Sequence, residues 1–177
     1  MRDLSLHLLD VIENSIRAEA TVISVTIAAD PDADLLTMAV EDNGRGLTVP
    51  PETAADPFYT TKTGKRTGLG LALLKAACEG AGGRLVIGRS ALGGVIVKSE
   101  MSLSHIDRSP LGDVATTLSS VVCTNPGIDF RFRMSEGRRA VEVRSADVAA
   151  ALPSEERSDL RIAQKVAENL RNMPFSI

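Results

Sequence analysis

The stretch Val40-Glu41-Asp42-Asn43-Gly44-Arg45-Gly46 decides how this chain is read. Leu36, Met38 and Val40 alternate into it as a strand with one buried face does, and an Asp-x-Gly-x-Gly pattern follows at once. Chance places that pattern in roughly one chain in twenty-five of this length. A carboxylate fixed at a strand end can accept a hydrogen bond from an adenine amino group, and the glycines let the backbone turn sharply and approach a ligand. The plain alternative is an ordinary Asp/Gly turn.

Working upstream, Leu4, Leu8, Val11, Ile12 and Ile16 recur at the spacing of a helix with one buried stripe, with Asp3 as its N-cap. Asp10, Asn14 and Arg17 stand four and three residues apart, on one face opposite that stripe. A carboxylate, an amide and a guanidinium in a row suit a magnesium nucleotide. The amide oxygen can ligate Mg²⁺, the cation can meet phosphate, and the carboxylate can orient or deprotonate a nucleophile. A solvated helix face is the competing reading. Ile23, Val25 and Ile27 then alternate before Asp30-Pro31-Asp32, which predicts a hairpin with the strand that leads to Asp42.

Downstream, glycines and prolines crowd residues 44 to 70, too irregular for an element and too long for a neutral connector. Gly64-Lys65-Arg66-Thr67-Gly68-Leu69-Gly70-Leu71 enters a helix predicted from about Gly68 to Glu79. Such an entry leaves free N–H groups where phosphate is favoured, and Lys62, Lys65 and Arg66 add cations. An exposed basic loop is the alternative. Strands at Arg84–Arg89 and Val95–Leu103, joined around Gly93-Gly94, complete the order helix, two strands, glycine-rich loop, helix, two strands.

After Leu103 the pattern restarts. Ser109-Pro110 reads as a helix entry, Ile128–Met134 and Arg139–Arg144 alternate around a turn at 135–138, and Ser154 precedes a last helix. The expected division is an N-terminal domain over residues 1–103 and a small α+β extension over 104–177. The chain has 177 residues, 20 basic against 23 acidic, and neither segment is a polycationic arm. No nucleic-acid or membrane partner is therefore expected. Cys78 and Cys123 lie outside any metal-ligand spacing and read as reduced thiols. No stretch approaches a membrane span, and Met1-Arg2-Asp3 does not open a signal peptide, so the expected compartment is the cytoplasm.

Asn14 in its helix, Asp42-x-Gly44-x-Gly46, Asp56-Pro57-Phe58-Tyr59-Thr60-Thr61-Lys62 and Gly68-Leu69-Gly70-Leu71 together resemble the four boxes of the GHKL superfamily, over about residues 1 to 103. The superfamily comprises the ATP-binding domains of gyrase, Hsp90, histidine kinases and MutL, and the phenylalanine box with its short lid is most similar to the histidine-kinase branch. The resemblance implies a two-layer α/β sandwich of the Bergerat type, a mixed sheet with helices on one face, and ATP and Mg²⁺ as cofactors. By it Asn14 would hold Mg²⁺, Asp42 would bind the adenine amine, Gly44 and Gly46 would shape the adenine pocket, and Gly68 and Gly70 would line the phosphates. Arg17 falls where many histidine kinases have a phosphate-contacting lysine, and Phe58, Lys62, Lys65, Thr67 and Leu69, within the boxes and the lid, complete the implied nucleotide-binding set.

Several departures refine the resemblance. The first box begins within ten residues of Met1, which leaves no room in this sequence for an upstream phosphoacceptor hairpin. His7 lacks the acidic residue that follows a phosphoacceptor and, like His105, reads as structural. Asp10 stands where other branches carry asparagine or a glutamate base, so it is the expected catalytic carboxylate, with Glu13 as competitor. Val95 replaces a threonine that assists adenine binding, at a cost of about 1 kcal/mol. The leading expectation is an ATP-dependent kinase that phosphorylates a partner protein, or a slow ATPase. The alternative is a non-catalytic ATP-gated interaction switch, and a MutL-like or gyrase-like DNA-associated ATPase is weaker. A regulated partner protein is expected, with a homodimer also open.

Overall fold

A computed structural model describes residues 3–54 and 69–172 of the chain. The helix α1 spans Leu4–Arg17, and Asp3 caps it by accepting the N–H of Leu6 at 3.1 Å. Its stripe of Leu4, Leu8, Val11 and Ile12 is buried, as the periodicity requires. Strands β1 (Val22–Asp30) and β2 (Leu35–Asp42) form the hairpin expected around Asp30, whose side chain accepts the N–H groups of Asp32 and Ala33. A single turn of helix, α2 (Pro51–Ala54), precedes the undescribed segment. Helix α3 (Leu69–Gly80) and the hairpin β3 (Arg84–Arg89) and β4 (Val95–Ser102) follow, within a residue of the predicted bounds.

The C-terminal part differs from its sequence reading in two places. Helix α4 spans Val114–Thr124 and is capped by Asp113, not entered at Ser109-Pro110. The carbonyls of Pro110 and Leu111 instead accept the N–H groups of Leu4 and Ser5 at 2.9 and 3.0 Å. Two of the unpaired donors at the start of α1 are thus met by a segment more than a hundred residues away. After β5 (Asp129–Glu136) and β6 (Arg139–Arg144) a helix α5 (Ser145–Ala151) intervenes that the pattern did not predict. The last helix, α6 (Asp159–Arg171), is capped by Ser158, and Ser154 only opens a 3₁₀ turn before it.

Among the described residues, six strands make one mixed sheet in the order β3-β4-β2-β1-β5-β6, in which only β1 and β5 run parallel. Ile23, Val25 and Ile27 of β1 and Phe130, Phe132 and Met134 of β5 share one face and a single core with the helices. Residues 104–172 therefore contribute to the same sheet and the same core as residues 3–54 and 69–103. The opposite face carries Ser24, Thr26 and Thr37 among cross-strand ion pairs such as Arg84–Glu100 and Arg133–Glu142, the usual finish for a solvated face. The fold is the two-layer α/β sandwich expected. Among the described residues, no helix is long and apolar enough to cross a membrane.

Candidate functional site

Asp42 is the last residue of β2 and is only 3 % exposed. A buried carboxylate needs hydrogen bonds, and three from the described residues reach this one. Ser15 Oγ of α1 donates to Oδ2 at 2.6 Å, while the N–H groups of Gly44 and Val95 donate to Oδ1 at 2.9 and 3.1 Å. A carboxylate offers about four lone-pair sites, so Oδ1 is saturated and Oδ2 keeps one acceptor position. The group is rigidly presented and can still take one donor.

The loop after Asp42 is tied down from both sides. Asn43 Oδ1 accepts the N–H groups of Thr21 and Val22 at 2.9 Å each, which pins the loop to the start of β1. The N–H of Arg45 donates to the carbonyl of Ala18, and its guanidinium donates to the carbonyl of Arg17 at 2.9 Å and pairs with Glu19. These contacts close the C-terminal end of α1, where carbonyls lack helical partners. Gly46 has φ +80°, the left-handed region that favours glycine. Gly44 leaves no room for a side chain, since a Cβ there would lie 2.8 Å from the Ala18 carbonyl oxygen.

Gly94 closes the ring around Asp42. Its N–H donates to the Asp42 carbonyl at 3.0 Å, and a Cβ on it would lie 2.1 Å from Asp42 Oδ1 and 2.6 Å from the Gly44 nitrogen. Only glycine fits so close to that carboxylate. The backbone of Val95 donates where its side chain has no hydroxyl, so the valine keeps one main-chain bond to Asp42.

Asp10 and Asn14 project from the middle of α1, both half-buried. Asp10 packs against the first turn of α3. A Cβ at Gly70 would meet Asp10 Oδ2 at 3.1 Å and Cβ at 3.3 Å, so the missing side chain at Gly70 makes room for Asp10. A carboxylate is favoured there by the partial positive charge at a helix N-terminus. Asn14 Oδ1 accepts a hydrogen bond from the Arg17 guanidinium, which also pairs with Glu13 at 3.1 Å. Glu13, the competing carboxylate, is thus engaged by Arg17. Leu69 opens α3 and is exposed.

Phe58, Lys62, Lys65, Thr67 and Gly68 lie outside the described residues. The rest of the expected set falls on α1, the end of β2 with its loop, and the start of α3. Ser15 and Gly94 belong with them and were not singled out from the sequence. A signal for Ser15 existed: it is a polar residue on the buried stripe of α1, four residues after Val11. His7 is buried on the same helix, with Nδ1 unpartnered among the described residues. Burial, then the positive chain terminus, lowers its pKa against the opposing pull of Asp10 and Asp3. That is the behaviour of a packing histidine.

No curated protein matches the sequence. Among solved structures, the ATPase domain of Aquifex aeolicus MutL, determined with ADP, is similar at 14% identity and TM-score 0.52, covering 95% of this chain and 69% of that one. The N-terminal domain of a DNA repair protein aligns at 14% identity and TM-score 0.47, over 81% of this chain and 52% of the other, so the chain spans about half of that relative's length. The family model for histidine kinase-, DNA gyrase B- and HSP90-like ATPases matches residues 2–109. With that match extending over more than half of the sequence, on a sheet and helices of the same architecture, the chain belongs to the histidine kinase-, DNA gyrase B- and HSP90-like ATPase family.

Proposed function

We propose that this chain binds Mg-ATP between α1, the Asp42 loop and the start of α3, and uses it to phosphorylate a partner protein or to hydrolyse it slowly. The observation that carries the reading is the Asp42 carboxylate, buried, held by three donors and left with one acceptor position on Oδ2. That position fits the donor of an exocyclic amine and repels the carbonyl that guanine presents instead. The MutL ATPase domain with a similar fold was solved with ADP, which supports a nucleotide as the ligand.

Asn14 suits Mg²⁺ by its donor set: its amide oxygen is already oriented to a cationic group, the Arg17 guanidinium. Bound there with nucleotide, the metal would neutralise phosphate charge. The N–H groups of the first turn of α3 would meet phosphate oxygens, and Arg17 would add a mobile cation. Asp10, half-buried beside Gly70, would orient or deprotonate the attacking water or hydroxyl. The same packing of Asp10 on α3 favours a second reading, an ATP-gated switch in which nucleotide alters α3 and a partner's affinity without turnover. In either case the partner is a protein, a regulated target or a second copy of the chain.

Calorimetric titration of Mg-ATP into wild type and Asp42→Asn tests the proposal. The amide replaces one acceptor by a donor with little change in shape, and a drop of about tenfold or more in affinity is expected. Equal affinity in the variant would remove Asp42 from base recognition. Incubation with labelled ATP then separates turnover from gating.

A further inference from the structure

The side chain of Arg17 lies across the atom that metal binding requires. Its guanidinium donates to Asn14 Oδ1 through one nitrogen and to a Glu13 carboxylate oxygen, at 3.1 Å, through another. Asn14 has a single side-chain oxygen, the only atom of its amide able to ligate a hard cation. With Arg17 in place that oxygen is engaged and a positive charge stands beside it. Arg45 fixes the main chain at the same point through the Arg17 carbonyl, so the side chain of Arg17 can move while its anchor does not.

We propose that Arg17 is a latch on the metal position: it disfavours free divalent cations at Asn14 and is drawn away by the phosphates of an arriving nucleotide, so that metal enters as its nucleotide complex. The inference rests on the assignment of Asn14 under Proposed function. Charge and exposure carry it. The Arg17 and Glu13 side chains are 43% and 48% exposed, so their pairing is screened by water and weak enough to exchange. A triphosphate offers more negative charge than one carboxylate and an amide dipole, and takes the guanidinium in bidentate fashion. A free divalent ion offers the opposite, repulsion from a cation that has no better partner. Without phosphate the latch stays shut.

The test is a titration with Mn²⁺ alone, followed by electron paramagnetic resonance, on wild type, Arg17→Ala, Arg17→Lys and the double variant Asn14→Ala/Arg17→Ala. Arg17→Ala is expected to bind free Mn²⁺ about five- to tenfold more tightly than wild type, the screened value of removing a unit charge beside a divalent ion. Arg17→Lys should stay near wild type, and the double variant should lose the gain. An unchanged affinity in Arg17→Ala, or a gain that persists when Asn14 is also removed, would overturn the latch. A parallel titration of wild type with Mn-ATP addresses the nucleotide site itself. No binding there would defeat the proposed function, while the free Mn²⁺ series would still decide the role of Arg17.

Discussion

Ser15 and Asp42, on different elements and 27 residues apart in sequence, are joined by a buried 2.6 Å hydrogen bond. The bond links α1 to the end of β2, next to Asn14 on one side and the Asp-x-Gly-x-Gly loop on the other. Replacing Ser15 by alanine removes a charge-assisted bond worth about 1.5–3 kcal/mol. Thermal unfolding should shift down, and ATP affinity should fall by about tenfold as the carboxylate loses its orientation. Calorimetry at a temperature where the variant is fully folded separates the two effects; undiminished affinity would show that Gly44 and Val95 hold Asp42 unaided.

Gly94 should tolerate no side chain. A Cβ would stand 2.1 Å from Asp42 Oδ1 and 2.6 Å from a main-chain nitrogen, and the second of these cannot rotate away. Gly94→Ala is expected to cost at least about 2 kcal/mol in urea unfolding. Ala substitution at Gly127, where a Cβ meets nothing within 4 Å, serves as the control.

Turnover should depend on Asp10 more than binding does. Asp10→Asn keeps the packing volume against Gly70 and removes the proton acceptor. Phosphate release or phosphoprotein formation should drop by about a hundredfold or more, with ATP affinity within a few-fold. If the variant turns over at the wild-type rate, the carboxylate is a packing group and the gating reading takes over.

Stability should decline with acid through His7. Burial lowers its folded pKa below the ordinary 6.5, so the unfolded chain takes up the proton first and stability rises with pH across that window. The contribution is complete above about pH 6.5 and is lost as pH falls toward the lowered value. Urea midpoints between pH 7.5 and 5 should fall in wild type and flatten in His7→Leu; parallel slopes would place the titrating group elsewhere.

Period and capping made much of this fold legible. Alternation in β1 and β2, the stripe of α1 with its Asp3 cap, and the bounds of α3 all follow from local chemistry. The entry to α4 is hidden in the sequence because Pro110 looks like a helix start, whereas its carbonyl accepts the N–H of Leu4. Nothing local announces that use. Helix α5 was missed for a similar reason: Ser145-Ala146-Asp147 begins it directly from β6, with no break in composition and no side-chain cap. At the candidate site, spacing points to Asp10, Asn14 and the Asp42 loop, which the fold places on α1 and at the end of β2. Their supports, Ser15 and Gly94, act across 27 and 52 positions of chain, and only the folded sheet brings them to Asp42.

The parallel pairing of β1 with β5 also sets an order of events during synthesis. Strand β1 is central in the finished sheet, yet one of its edges stays open until residues 129–136 have left the ribosome. The first turn of α1 likewise waits for Pro110 and Leu111. A nascent chain can therefore carry every motif of the candidate site and still lack a settled arrangement around Asp42, and its bare strand edge is a target for chaperones or for aggregation until β5 arrives.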